Sequence, residues 1–250
     1  MNADATTNED RRRLLQSAGA GALALALGVL PLGARGAGQG AGKMRIGIVG
    51  SGNVGGALGA AWVKAGHEVM FSSLHIEHDR ALAAKLGPNA RAGTPREAAA
   101  FGDVLMVSVP YRALPDVGKE LGELLKGKVV IDTCNPFPGR DGEIATWARQ
   151  KGAGLASAEL LPGARLVRAF NAIGAARMGA AHEEPGRVGM PIAGDDAHAL
   201  ALASRLVRDV GYEPVVIGGL AMGKYLMPGT PLAGEHTPEE IRKIAATLEK

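Results

Sequence analysis

The sequence predicts an α/β protein, a doubly wound parallel sheet with a small C-terminal α/β extension. Three observations predict it. From Met44 onward, short apolar runs alternate with helical patterns, the order that lays a parallel sheet between two layers of helices. Runs such as Val104–Val109 are continuously apolar, as strands buried on both faces must be. The first run, Met44–Val49, leads directly into Gly50-Ser51-Gly52-Asn53-Val54-Gly55 and then into a helical pattern through Lys64.

That last junction is GxGxxG in the setting its chemistry requires: strand, tight turn, helix. The first glycine permits the turn, the second admits backbone amides to a pyrophosphate, and the third lets helix and strand pack closely. The helix N-terminus then offers unpaired N–H donors and partial positive charge to the phosphates. Gly50, Ser51, Gly52, Asn53, Val54 and Gly55 are therefore the candidate dinucleotide cradle of a Rossmann-type sheet.

The other elements follow in order. Gly66 closes the first helix, and His67–Ser72 is strand two. A short helix is expected over Arg80–Leu86, stopped by Gly87-Pro88, with a brief third strand at Arg91-Ala92. Thr94-Pro95-Arg96-Glu97 is a capping box that opens a helix to Ala100. Val104–Val109 is a strand, Tyr111–Lys126 a helix, and Lys128–Thr133 a strand. Asn135-Pro136-Phe137-Pro138-Gly139 reads as a loop, because two prolines block regular structure. A helix over Glu143–Lys151 and a strand over Leu166–Phe170 come next. The tail repeats a βαβ pattern: strand Met190–Ala193, a helix capped by Asp195 or Asp196 and running to Val210, then strand Pro214–Ile217. Gly219–Leu226 is helical, and Thr237-Pro238-Glu239-Glu240 is a second capping box before a terminal helix to Leu248. That amphipathic helix suits packing on its own domain or on a partner in a homodimer.

Residues 1–43 read as a leader. Arg11-Arg12-Arg13-Leu14-Leu15 precedes a soft apolar stretch, Ala18–Leu32, and then a Gly/Ala segment. The pattern resembles a twin-arginine signal, which addresses folded proteins for export, with Asp10 in place of the usual Ser or Thr. The stretch is about 15 residues, short of the roughly 20 that span a bilayer. This predicts an extracytoplasmic or periplasmic protein and a passage through the twin-arginine machinery. A dinucleotide bound before export would travel with the folded chain. Residues 44–165 would then form the nucleotide-binding domain and residues 166–250 a closing segment.

Composition narrows the function classes. The chain has 250 residues, and the +3 formal charge lies mostly in the leader, where Arg11, Arg12, Arg13, Arg35 and Lys43 face Asp4, Glu9 and Asp10. No basic cluster marks the remainder, so nucleic-acid binding has no support. The single cysteine, Cys134, excludes an intrachain disulfide. His75 and His78 are the closest histidines and have no thiol or carboxylate partner at metal-ligand spacing, so no metal is expected.

Strand two bears on the nucleotide. An NAD site usually carries Asp or Glu at its end, bonded to the ribose 2′-OH. Here the chain reads Phe71-Ser72-Ser73-Leu74-His75, and Glu77, read as the only nearby acid, lies past that position. Ser72 and Ser73 offer hydroxyls, and His75, His78 or Arg80 positive charge, to a 2′-phosphate. NADP is favoured over NAD.

With these pieces placed, the chain resembles the NADP-dependent reductases of coenzyme F420, the deazaflavin hydride carrier, and their bacterial relatives. The resemblance runs from about Met44 to Leu232. It rests on Arg45–Gly55, Gly66-His67-Glu68-Val69 leading to Ser72-Ser73, Val107-Ser108-Val109-Pro110-Tyr111, Val130–Pro136, Val167-Arg168-Ala169-Phe170-Asn171 and Ile192–Asp196. It implies that Ser51 to Val54 hold the pyrophosphate and that Ser73 meets the 2′-phosphate. It also implies that Val109, Pro110, Tyr111, Asn135, Pro136 and Ala169 lie around the nicotinamide and its ribose. Where the family usually has basic residues after Ser73, this chain has Leu74. His75 and His78 as substitutes would make the NADP preference weaker and pH-dependent.

No nucleophile, triad or paired carboxylate stands out, which is compatible with direct hydride transfer, where the protein supplies alignment and a dry cleft. No catalytic acid or base is assigned. The expected partner is a small-molecule redox acceptor: F420, a flavin, or a small carbonyl or imine, for which Tyr111 and Asn171 are loose proton-donor candidates. A non-catalytic dinucleotide-binding or redox-sensing protein is the remaining reading.

Overall fold

The computed structural model describes residues 42–178 and 188–249. The twin-arginine pattern lies outside them. The described strands are β1 (Arg45–Val49), β2 (Glu68–Ser72), β3 (Ala90–Ala92), β4 (Val104–Val107), β5 (Val129–Asp132), β6 (Arg165–Arg168), β7 (Gly189–Gly194) and β8 (Glu213–Gly218). They form one sheet in the order β3-β2-β1-β4-β5-β6-β7-β8. Pairing is parallel from β3 through β6; β7 runs antiparallel to β6, and β8 parallel to β7. This is the expected Rossmann-type fold, and the tail extends its sheet. Chain order reverses beside β1, which has β2 on one side and β4 on the other. That switch point opens the crevice where such sheets bind ligands.

Both faces of the sheet are buried, which explains the continuous apolar runs. Val104 and Met106 of β4 enter one core with Ile46, Ile48, Leu58 and Trp62, while Leu105 and Val107 enter the opposite core with Leu114, Leu121 and Val130. The two-residue period of a strand alone sorts them. A third cluster gathers Val215, Ile217, Leu226 and Ile241 under the C-terminal helix.

Helices α1 (Asn53–Lys64) and α2 (Ile76–Leu86) follow β1 and β2. α2 begins four residues before the expected start at Arg80, because His75 serves as N-cap without a side-chain bond and leaves no capping signature to read. Helix α3 (Pro95–Phe101) opens on the predicted capping box. Glu97 N donates to Thr94 Oγ1 at 3.2 Å and Thr94 N to Glu97 Oε2 at 2.7 Å. Those bonds hold the Glu97 carboxyl below its usual range, and such a cap contributes about 1 kcal/mol. The expected helix over Tyr111–Lys126 divides into a 3-10 turn, Tyr111–Ala113, and α4, Leu114–Leu125, with Pro115 within its first two positions.

Three helices are absent from the sequence reading. Pro138 does not end structure but starts the short α5 (Pro138–Asp141), since a first helical position needs no N–H donor. After α6 (Glu143–Lys151), α7 (Ala153–Leu160) carries an Ala- and Gly-rich segment whose weak amphipathicity gives no helical signal. In the tail, the short α8 (Ala175–Met178) precedes β7, and Asp196 rather than Asp195 caps α9 (Ala197–Asp209), accepting from Ala199 N at 2.8 Å. The terminal α10 (Pro238–Ala246) turns Ile241 fully into its own domain.

Candidate functional site

The loop after β1 is shaped by two of its glycines. Gly50 has φ +99°, and a Cβ there would meet Ser108 O at 2.2 Å. At Gly55 a Cβ would meet Gly50 O at 2.1 Å, so helix and turn approach as only glycine allows. Gly50 N and Ser51 N both donate to Ser72 O, at 2.8 and 3.1 Å, which pins the turn to β2. Gly52 differs: it is exposed, and a Cβ there meets no heavy atom within 4 Å. No side chain caps α1, which leaves the N–H groups of its first turn without a side-chain acceptor and available to an anion.

The tips of β1, β4 and β5 are stitched in step beside this loop. Ser108 N donates to Val49 O at 2.8 Å, and Thr133 N to Val107 O at 3.1 Å. Val109 N reaches Cys134 Sγ at 3.4 Å, and Cys134 N donates to Asp132 Oδ1 at 2.7 Å. Above them lies a cleft of about 220 Å³, bounded by Gly52, Asn53 and Val54 on one side and by Val109, Pro110, Asn135 and Arg140 on the other. Ser108, Thr133, Cys134 and Phe137 complete its wall. Every residue of this wall follows β1, β4 or β5.

The predicted residues divide accordingly. Gly52, Asn53, Val54, Val109, Pro110 and Asn135 meet at the cleft, with Gly50, Ser51 and Gly55 shaping the loop behind it. Tyr111 does not line the wall. It is fully buried, with its hydroxyl 3.1 Å from Ser157 Oγ, and burial pushes its phenol well above the ordinary value. Pro136 and Ala169 are buried behind the floor. Asn171 is also buried, and neither of its side-chain amide atoms has a partner among the described residues. Cys134 is buried as well; burial foremost, with Asp132 nearby, raises its thiol and makes it a poor nucleophile.

Ser72 is corrected more sharply. Its hydroxyl is wholly buried and donates to Ile48 O at 2.6 Å, so it ties β2 to β1 instead of facing a ligand. Ser73 Oγ donates to Asp79 Oδ2 at 2.8 Å. His75 and His78 are exposed at the start of α2. Glu77 is not the acid of this corner: it is exposed and pairs with Arg80 at 2.5 Å. The acid is Asp79, which the early start of α2 turns inward to zero exposure.

Arg140 is the functional candidate that the sequence reading missed. Its Nε and Nη2 hold Asp141 at 3.0 and 2.8 Å, Nη2 also reaches Asn135 O at 2.9 Å, and the guanidinium stacks 5.0 Å from the Phe137 ring centroid. Burial alone would raise the Asp141 carboxyl. Bonds from Arg140 and from the N–H groups of Phe137 and Arg112 outweigh it and leave that carboxyl low. One edge of Arg140 is thus fixed, and the residue lines the cleft. The available signal was Pro138, whose helix-starting role sets Arg140 and Asp141 on one turn.

Beneath the floor lies a buried ion pair. Arg168 Nη1 is 2.5 Å from Asp132 Oδ2 with both side chains at zero exposure, and it also donates to Cys134 O at 3.1 Å. Arg168 Nη2 reaches Asn135 Oδ1 at 3.3 Å, while Asn135 Nδ2 donates to Asn171 O at 2.8 Å. The Asn135 carboxamide is therefore oriented from below. Phe170, directly before Asn171 in the chain, holds φ +65° and is wedged edge-on between Trp62 and Tyr212 at 6.2 and 6.1 Å.

Comparison with known proteins agrees with this fold. Residues 45–136 match the family model described as NADP oxidoreductase, coenzyme F420-dependent. The F420-dependent NADP reductase of Methanothermobacter thermautotrophicus is 27% identical over 203 residues, covering 76% of this chain and 87% of that one. The rat metalloreductase STEAP3 is 28% identical over 180 residues, which are 72% of this chain; the chain spans about a third, 35%, of that protein's length. A hypothetical protein from Sinorhizobium meliloti has the same fold at TM-score 0.64 and 24% identity, covering 78% of this chain and 96% of that one.

Proposed function

We propose that this chain is a nicotinamide-dinucleotide-dependent oxidoreductase that exchanges hydride between NADP(H) and a planar acceptor such as coenzyme F420 or a flavin. The observation that carries the reading is the meeting of the Gly52–Val54 amides with the tips of β4 and β5 around one cleft at the switch point. The glycine loop fits a diphosphate: its closely packed glycines leave no side chain between the amides and the ligand. When bound, the nicotinamide supplies or receives the hydride. The protein's part is to hold it flat against Val109 and Pro110 and to fix the Asn135 carboxamide beside it through Arg168. The match of residues 45–136 to the reductase family supports the same assignment.

The test is mass spectrometry of small molecules released from purified protein, then NADPH oxidation followed with F420, FMN and riboflavin. Release of a nicotinamide dinucleotide and turnover with one of these acceptors is the expected result. Absence of dinucleotide binding would refute the reading. On the leader pattern we further propose export by the twin-arginine route; cell fractionation checks it, and a wholly cytoplasmic protein would count against it.

Arg140 gives a second expectation. Sheet strands lie about 4.8 Å apart, so a residue after β5 stands roughly 10 Å from the β1 loop. Arg140, in the cleft wall, then stands at the acceptor's end, away from the diphosphate. Arg140→Gln is expected to raise KM for FMN about tenfold, the worth of one charge-assisted bond, and to leave KM for uncharged riboflavin unchanged. Steady-state kinetics with the two flavins checks it.

A further inference from the structure

We infer that Asp79 sets the nucleotide preference of this chain, by taking up the hydroxyl protons that would otherwise meet a 2′-phosphate. The inference rests on the dinucleotide reading above and concerns the ribose corner of the same site, at the end of β2.

Asp79 is fully buried at the first turn of α2, where the helix N-terminus favours a negative charge. It bridges two elements. Ser51 Oγ, in the glycine loop, donates to one carboxylate oxygen, and Ser73 Oγ, just past β2, donates to the other at 2.8 Å. A serine has one proton to give. Ser73 has spent its proton on Asp79 and also accepts from His75 N at 3.0 Å, which leaves it one vacant lone pair. Ser72 has spent its proton on Ile48 O. The corner therefore offers a ligand an acceptor and lacks serine donors.

A ribose 2′-hydroxyl can donate to such a corner. A 2′-phosphate cannot, since its oxygens are acceptors and its charge has the same sign as Asp79. Nor, among the described residues of this corner, does a free permanent cation compensate. Leu74 stands 95% exposed next to Ser73, and Arg80 is engaged by Glu77. Positive charge nearest Asp79 would come from His78, whose Nδ1 is 3.7 Å from it. The resemblance to NADP-dependent reductases thus holds for the diphosphate loop, while at this corner the residues fit a 2′-hydroxyl at least as well as a phosphate. The preference for NADP is narrowed accordingly, and NAD is bound competitively.

The experiment is calorimetric titration of NADP+ and NAD+ into the full-length protein and two variants, with no turnover needed. Asp79→Asn removes the charge and returns a donor to the serines. It is expected to tighten NADP+ relative to NAD+ by about tenfold or more. An unchanged ratio overturns the inference. Ser73→Ala decides the matter independently, should Asp79→Asn impair folding. If Ser73 gives its proton to Asp79, Ser73→Ala leaves NADP+ affinity nearly unchanged and weakens NAD+. If Ser73 instead serves the phosphate, NADP+ weakens and NAD+ does not, and the inference fails. Wild-type protein that binds neither nucleotide would refute the function itself, a result distinct from a binding protein with an unaltered ratio.

Discussion

Gly52→Asp is expected to lower dinucleotide affinity by about three orders of magnitude while leaving the fold intact. Gly52 has φ −67°, an ordinary value for any residue, and a Cβ there meets nothing within 4 Å. The change therefore costs the apoprotein little. Its side chain would project to where the first-turn amides meet a diphosphate. Two like charges about 4 Å apart at an effective dielectric of 20 repel by about 4 kcal/mol, which is roughly a thousandfold in affinity. Fluorescence titration with NADPH, alongside a thermal melt, checks both halves. A variant with unchanged melting and unchanged affinity would mean that the loop does not hold the nucleotide. Gly50→Ala is no substitute for this test, because φ +99° and the Ser108 carbonyl at 2.2 Å would make it a folding variant.

Arg168→Met is expected to destabilise the protein by about 3–5 kcal/mol, since it leaves the Asp132 carboxylate buried without its counterion. For a domain of this size each kcal/mol moves the melting temperature by about 2–4 °C, so a fall on the order of 10 °C is expected. Asp132→Leu combined with Arg168→Met should recover much of it, because a matched apolar pair carries no unpaired charge. Calorimetric melts of the wild type and the two variants check this. The double variant separates stability from function. It restores the melt but removes the Arg168 bond that orients Asn135, so turnover should remain depressed. Full recovery of turnover would show that Asn135 needs no such support.

What could be read from the sequence was what short-range chemistry determines. The β1 run and the glycine motif announced strand, turn and helix, because those glycines are required locally. Both capping boxes were legible for the same reason: Thr94 and Glu97, like Thr237 and Glu240, satisfy each other within one turn. What escaped depended on partners distant in the chain. Tyr111 stands at a strand end like a cleft residue, yet it bonds Ser157, 46 positions away, and joins the core. Asp79 went unread beside Glu77, the acid singled out after strand two. Only a helix starting at Ile76 swings it under the glycine loop, 28 positions upstream. Arg168 and Asp132, 36 positions apart, are adjacent strand ends that meet only when β5 and β6 pair.

The lone thiol has a practical outcome. Cys134 is the only cysteine in the chain, is 2% exposed, and is held protonated by burial. A maleimide dye should therefore ignore the native protein. Leu74, 95% exposed beside the ribose corner, could be exchanged for cysteine to give a single labelling position. A fluorophore carried there would report nucleotide arrival in real time, on a molecule that needs no prior removal of competing thiols.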